Sequence, residues 1–368
     1  MSFMYQQQQM TADEFLSWQL EQETPHELSG GHAEALSDRD AAFFRVLLNV
    51  TSAIRLHLDE SEHAVFVRGE HVSIDSHHVM CPDAMVANCR TAATPRWTME
   101  IVSSRGRAPD AVRRTLALRR IESLAEHVTV DLATRTVAVD RRLASGAWSS
   151  ASFAEGDRVT FQSLQLAFDV SDAFAGLDRE QPSLTLSEFL AWDRLPGRSE
   201  LSRYEFNNGA VIALSAAKLN HERVVRNLVV ALSGHLDGTP CEVFGSNLRL
   251  ACEGSQGGFL PDASVVCDDA DLGNDDEIRK PIVLIEVISR STQSRDRSLK
   301  REHYLRIPSL REYVLIDYRL RRIDVHRRAQ EGAWSLFQCI AGSPLTLTSI
   351  DFVLPAETVY ARVRTTGE

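Results

Sequence analysis

Apolar residues along this chain fall into short solid runs, alternating runs and runs of helical period, and the order of these runs occurs twice. In the second half, Ile282-Val283-Leu284-Ile285-Glu286-Val287-Ile288 is apolar at every position but one, the composition of a strand buried on both faces. Ahead of it, Val224, Leu228, Val229, Leu232 and Leu236 recur at spacings that predict an amphipathic helix from His221 to Leu236. Upstream, Tyr204–Leu214 reads as strand, turn and strand, with Asn207-Asn208-Gly209 as the hairpin signal. A short helix around Glu188–Trp192 precedes it, with Thr185 as N-cap. Strands are expected at Glu242–Leu250, Asp262–Val266 and Glu312–Asp317, the last turning through Tyr318-Arg319-Leu320-Arg321 into Arg322–Arg327. A second helix, from about Arg295 to Leu305, must end before Pro308.

The first half carries the same order. Met10-Thr11-Ala12-Asp13-Glu14-Phe15-Leu16-Ser17-Trp18 matches Leu184-Thr185-Leu186-Ser187-Glu188-Phe189-Leu190-Ala191-Trp192. Cys81-Pro82-Asp83-Ala84 matches Leu260-Pro261-Asp262-Ala263, and Met99-Glu100-Ile101-Val102-Ser103 matches Ile285-Glu286-Val287-Ile288-Ser289. From Glu100 onward the offset stays at 186 (286 − 100), pairing Asp110 with Asp296 and Gly146-Ala147-Trp148 with Gly332-Ala333-Trp334. Chance does not hold one register that long, so the chain reads as a tandem duplication. A linker near Gly176–Ser183 places copy one at 1–177 and copy two at 178–368. The expected architecture is α/β: two domains, each a central mixed β-sheet flanked by helices.

Composition narrows this only slightly. A formal charge of −11 over 368 residues argues against non-specific coating of nucleic acid, which rests on neutralising phosphates. A local basic surface remains open. Between Arg290 and Arg328 there are twelve Lys/Arg against five Asp/Glu, and Arg290, Arg295, Arg297 and Arg301 cluster within it as candidate DNA-binding residues. Cys81, Cys89, Cys241, Cys252, Cys267 and Cys339 include no C-x-x-C pair, which favours buried thiols over a disulfide framework. With neither a leader-like N-terminus nor a long apolar run, the expectation is a soluble cytoplasmic protein without membrane association. The six acids from Asp268 to Glu277 lack calcium-loop spacing and are expected in a solvated loop.

The candidate chemistry lies in copy two. A carboxylate inside a doubly buried strand needs a partner or a metal, so Glu286 requires a reason. If Asp262 and Glu286 lie on neighbouring strands, they converge at one edge of the sheet, and a cation between them relieves their repulsion. Two carboxylates with room for water suit Mg²⁺ or Mn²⁺. Asp296, Lys300 and Tyr304 follow at spacings of four, on one helix face, so Lys300 can reach the same pocket. The plainer alternatives are an exposed Asp296–Lys300 ion pair, worth about 0.3–0.5 kcal/mol, and a Glu286 held by an arginine. Glu205 and His221 are candidate supporting groups, with a surface charge and a helix-start residue as the plain readings.

This set of residues resembles a known family. Pro261-Asp262, then Glu286-Val287-Ile288-Ser289, then Asp296, Lys300 and Tyr304, followed by Glu312-Tyr313-Val314-Leu315-Ile316-Asp317, is similar to the large bacterial restriction-endonuclease family of the PD-(D/E)xK superfamily. Tyr204–Gly209 and the helix opening at His221 fit it as well. The resemblance implies a restriction-endonuclease-like fold and Mg²⁺-dependent hydrolysis of DNA phosphodiesters. It makes Asp262 and Glu286 metal ligands and Lys300 the catalytic lysine, with Ser289 among the supporting positions. Ile288 stands two after Glu286 where the wider superfamily has Lys, so the lysine must come from the helix; Arg290 stands where the family commonly has Pro. Copy one keeps Glu27, Asp83, Glu100 and Asp110 but has Phe43 and Arg114 at the positions of His221 and Lys300. It is expected to be inactive and to form an internal pseudo-dimer with copy two. A non-catalytic nucleic-acid-binding or assembly module is the alternative.

Overall fold

The computed structural model describes residues 9–22, 25–36, 39–58, 62–88, 94–102, 108–178, 183–196, 203–214, 218–274, 276–288, 295–339 and 342–364, with the side chains of 108–111 and 295 left out. The chain forms two compact units, one of residues 1–20 and 24–215, the other of 21–23 and 216–368. No described helix is long and apolar enough to cross a membrane.

In the first unit a six-stranded sheet runs in the order Trp148–Ala154, Thr136–Arg142, Glu126–Asp131, Trp97–Val102, Ala84–Asn88, His63–Val67. Every neighbouring pair is antiparallel except Trp97–Val102 with Glu126–Asp131. A parallel pair needs a crossover, and the helix Ala108–Leu118 lies in that crossover. The helix Ala41–His57, capped by Asp40 through the amide of Phe43, buries Val46, Leu47, Val50 and Ile54. A small four-stranded sheet holds the hairpin His26–Ser29/His32–Ala35.

The first unit also takes in the opening elements of copy two, so its boundary lies beyond the repeat boundary near 178. The helix Leu186–Asp193 starts with a capping box between Thr185 and Glu188, as Ala12–Gln19 does with Thr11 and Glu14. It packs on Ala41–His57. Arg45 Nη1 bonds Glu188 Oε1 at 2.7 Å, buried Arg55 donates to the carbonyl of Trp192 at 2.7 Å, and Trp192 Nε1 donates to Thr51 Oγ1 at 3.1 Å. The hairpin Arg203–Asn207/Ala210–Leu214 turns through Asn208 and Gly209 at φ +45° and +94°. Both turn residues thus take the left-handed geometry a two-residue hairpin demands. Its Tyr204 hydroxyl accepts the amide of Val67 at 2.9 Å.

In the second unit the large sheet repeats the first: Glu242–Gly245, Ala263–Val266, Pro281–Ile288, Glu312–Asp317, Arg322–Arg328, Trp334–Cys339. Again only one pair is parallel, Pro281–Ile288 with Glu312–Asp317. On one face lie the helix Leu219–Leu236 and the closing segment Leu345–Tyr360, burying Val283, Ile285 and Val287. On the other, Leu284 and Ile288 pack with Phe259, Tyr304 and Tyr313. The central strand is therefore apolar at successive positions because both faces are covered.

Four expectations need correction or refinement. The strand expected over Glu242–Leu250 is two, Glu242–Gly245 and Arg249–Cys252, which belong to different sheets; Ser246-Asn247-Leu248 carries the chain between them. The helix expected at 295–305 opens as a π-helical turn, Arg295–Lys300, before one α-helical turn, Arg301–Tyr304. The acidic segment is not simply a solvated loop. Asp268 caps the short helix Asp269–Leu272, and buried Asp271 accepts the amide of Arg279 at 2.7 Å. The thiol expectation fails at one pair: Cys241 and Cys267 form a disulfide with Cα atoms 4.1 Å apart. The antiparallel register pairs Glu242 with Val266, which sets the next residues out, Cys241 and Cys267, opposite each other. Cys81, Cys252 and Cys339 are free thiols, and Cys89 lies outside the described residues.

Candidate active site

Register builds this site. Ala263 pairs with Ile285 across the antiparallel ladder, so Asp262, one residue earlier, falls opposite Glu286. Directly opposed side chains share a face of the sheet and lie close together. The two carboxylates expected to converge are brought together there; Glu286 is buried and Asp262 is partly buried.

Each carboxylate is held by named donors. Asp262 Oδ2 accepts the amide of Val287 at 2.7 Å and His221 Nε2 at 3.0 Å, while its Oδ1 makes no hydrogen bond among the described residues. Glu286 Oε1 accepts Lys300 Nζ at 2.9 Å and the Tyr304 hydroxyl at 2.8 Å. Lys300 Nζ also lies 3.5 Å from Asp296 Oδ1. Asp296 and Lys300 are 2 % and 3 % exposed, so they form no exposed surface pair. The crossover segment is anchored in turn by Tyr313, whose hydroxyl donates to the carbonyl of Asp296 at 2.8 Å. Tyr304 is wedged between Phe259 and Tyr313, with ring centroids 5.5 and 5.2 Å away.

Electrostatics couple His221 to Asp262. Burial opposes charge on either group. Against it, Asp262 raises the His221 pKa above 6.5, while His221, Lys300 and the Val287 amide hold Asp262 below 3.8. Each partner therefore favours the charged form of the other. His221 Nδ1 makes no hydrogen bond among the described residues and has Glu222 Oε1 at 3.6 Å.

The remaining candidates are placed unevenly. Glu205 is buried in the strand Arg203–Asn207, which belongs to the first compact unit. Ser289 and Arg290 lie outside the described residues, as does the side chain of Arg295. Arg297 Nη1 is committed to buried Asp324 at 2.8 Å, and Arg301 is exposed. Of the four arginines expected on a DNA surface, one is thus engaged within the fold, sharing buried Asp324 with Arg322, on the strand next to the sheet's edge.

Copy one builds the same frame and fills it differently. Ala84 pairs with Met99, which sets Asp83 opposite Glu100, and the amide of Ile101 donates to Asp83 Oδ2 at 2.8 Å. Arg114 grips Glu100 with two nitrogens, at 2.8 and 3.1 Å, and also bonds Glu27. Arg39, a residue the repeat comparison did not single out, reaches Asp83 at 3.3 Å and stacks over Phe43. It precedes the N-cap Asp40, so no helical spacing marked it in the sequence. Burial, with Asp83 and Glu27 nearby, pushes the Glu100 pKa upward despite Arg114. A guanidinium stays protonated, so this copy has no side chain able to shuttle a proton at the lysine's place. The side chain of Asp110 is not described.

A mixed sheet with two carboxylates opposed across its central strands and a lysine from the crossover helix defines a restriction-endonuclease-like fold, here present twice. The family described as "Uma2: Putative restriction endonuclease" matches residues 12–173 and again 186–355, and this chain belongs to it. Two uncharacterized proteins of Synechocystis sp. are similar to it. The protein slr1290 is 29 % identical over 179 residues, 49 % of this chain and 92 % of the relative. The protein sll1609 is 28 % identical over 155 residues, 42 % and 85 % of the respective chains. A crystal structure described as a putative nuclease belonging to DUF820, from Anabaena variabilis, is 18 % identical with a TM-score of 0.41. It covers 49 % of this chain and 99 % of its own. Each relative has about the length of one copy.

Proposed function

We propose that copy two is a metal-dependent endonuclease that hydrolyses DNA phosphodiester bonds. One observation carries this reading: Asp262 faces Glu286 across the ladder, and buried Lys300 bonds Glu286. The donor set fits a hard divalent cation, because its ligands are carboxylate oxygens and Asp262 Oδ1 makes no hydrogen bond among the described residues. Asp262 and Glu286 would hold Mg²⁺ or Mn²⁺, which when bound polarises a phosphoryl oxygen and acidifies water. Lys300 would orient the attacking water and offset charge on the phosphorane. His221 positions Asp262, Tyr304 positions Glu286, and Asp296 balances Lys300. Copy one, its carboxylates tied to Arg39 and Arg114, would be the inactive partner in an internal pair.

A second reading is a non-catalytic nucleic-acid-binding or assembly module. It is favoured by the fact that, among the described residues, no group of three or more His, Cys, Asp or Glu side chains is gathered to hold a metal. Mg²⁺ needs only one or two carboxylates, since it keeps several waters. The test is nicking of supercoiled plasmid with Mg²⁺ or Mn²⁺. Glu286→Ala and Lys300→Ala should each lower the rate at least ~100-fold, the scale of a missing acid–base or electrostatic group. Glu100→Ala should leave it within about twofold. An inactive wild type, or Mn²⁺ binding unchanged in Asp262→Ala, would favour the module instead.

A further inference from the structure

The first turns of the helix Leu219–Leu236 have two sides. His221 turns to Asp262. On the other side, Leu219, Glu222, Arg223 and Arg226 line an open groove of about 770 Å³, together with Arg362, Val363 and Arg364 from the C-terminal segment.

That segment is fastened in place. Asn220 Nδ2 donates to the carbonyl of Arg364 at 2.7 Å, and the amide of Arg364 donates back to Asn220 Oδ1 at 3.1 Å. Two turns along the helix, Asn227 Nδ2 donates to the carbonyls of Val359 at 3.1 Å and Ala361 at 2.9 Å. The same two asparagines steady the helix arginines: Arg223 Nη1 donates to Asn220 Oδ1 at 2.8 Å, and Arg226 Nη2 to Asn227 Oδ1 at 3.3 Å. Arg362 takes a left-handed backbone at φ +63°, which side chains other than glycine rarely adopt.

Two asparagine clamps therefore bring four guanidinium groups into one groove. Among the described residues none of the four forms an ion pair with a carboxylate, although acids outnumber bases by 51 to 40 in the chain. Glu222 is the single acid in the lining, and it lies beside His221. Like charges gathered on an acidic protein repel unless an anion joins them. The described lining has no aromatic ring on which a base would stack, and its apolar side chains are Leu219 and Val363, set among four arginines. What it matches is a run of phosphates.

We propose that this groove binds the sugar–phosphate backbone of a nucleic-acid strand and feeds it to the site on the far side of the same helix turn. The assignment rests on the nuclease reading for its substrate. It differs from the arginine cluster at 290–301 expected from sequence.

The test is fluorescence anisotropy with a labelled DNA duplex in EDTA. The proteins compared are the full-length wild type, Arg226→Ala/Arg364→Ala and Arg226→Glu/Arg364→Glu, with melting curves to show that all three are folded. The alanine pair should flatten the log Kd against log salt slope by about two, one for each phosphate no longer neutralised. The glutamate pair should weaken binding at low salt by at least ~10-fold, since it reverses two charges. Unchanged Kd and slope in both variants would overturn the proposal. So would a wild type that binds no duplex, or one for which a mononucleotide competes as well as duplex at equal phosphate. DNA binding that depends on the groove in a protein that nicks no plasmid would retain the groove and discard the reaction. Plasmid nicking with Kd and slope unaltered in the variants would do the reverse.

Discussion

At the scale of single residues, the site works by placing each buried charge against a partner. Glu286 is tolerated in a strand covered on both faces because Lys300 and Tyr304 reach one of its oxygens. Asp262 depends on His221 in the same way, and pH exposes that dependence. His221 has a pKa raised above 6.5, so its contribution is full below 6.5 and is lost as pH rises through the raised value. Asp262 is held below 3.8, so its contribution is present above 3.8 and is lost as pH falls through the lowered value. The pair therefore stabilises most between 3.8 and 6.5. In metal-free urea titrations, His221→Ala should cost most stability near pH ~5 and progressively less toward pH ~9. A cost that grows with pH would refute the ion pair. Tyr304 and Lys300 were legible from their spacing of four. Arg39 was not, since only folding shows that it stands in for the missing histidine of copy one.

At the scale of elements, the edge strand Glu242–Gly245 is the weak point of the second sheet. It is short, pairs on one side only and keeps its residues partly exposed. The Cys241–Cys267 bond fastens it to the neighbouring strand across a sequence separation of 26. Closing a loop of that length in the unfolded chain is worth about 3.5 kcal/mol. Denaturation with and without a thiol reductant should differ by roughly that amount, and Cys241→Ser should abolish the difference. Equal midpoints would mean that the bond does not form in solution. Cysteine spacing did not reveal this pair, because nothing in a separation of 26 says that two strands lie side by side. The hairpin at Asn208-Gly209, by contrast, was readable, because only left-handed backbone closes a two-residue turn. The capping boxes at Thr11 and Thr185 were equally local.

At the scale of the whole molecule, the repeat and the compact units divide the chain differently. The opening helix and hairpin of copy two pack within the first unit, through Glu188 on Arg45, Trp192 on Thr51 and Arg55, and Tyr204 on Val67. A truncated chain beginning at residue 178 would leave these elements without those partners. Trypsin should then cut it rapidly at Arg194 and Arg203, sites slow to cleave in the full chain, and Trp192 fluorescence should shift to the red. Resistance of this segment in the truncated chain would show that copy two needs no help from copy one's helix Ala41–His57.

The sequence by itself determined what depends on period, order and repetition. These are the doubled α/β pattern, the strand buried on both faces, the odd carboxylate within it, and the lysine one helical turn beyond Asp296. Each follows from residues near one another in the chain, where side-chain direction is set by strand or helix geometry. Tertiary structure alone decided which residues meet across distance: His221 with Asp262, Arg114 with both Glu27 and Glu100, Arg297 with Asp324, Cys241 with Cys267, and the C-terminal arginines with those of the long helix. Such pairs depend on strand order and register, and a shift of one residue would turn every side chain to the opposite face.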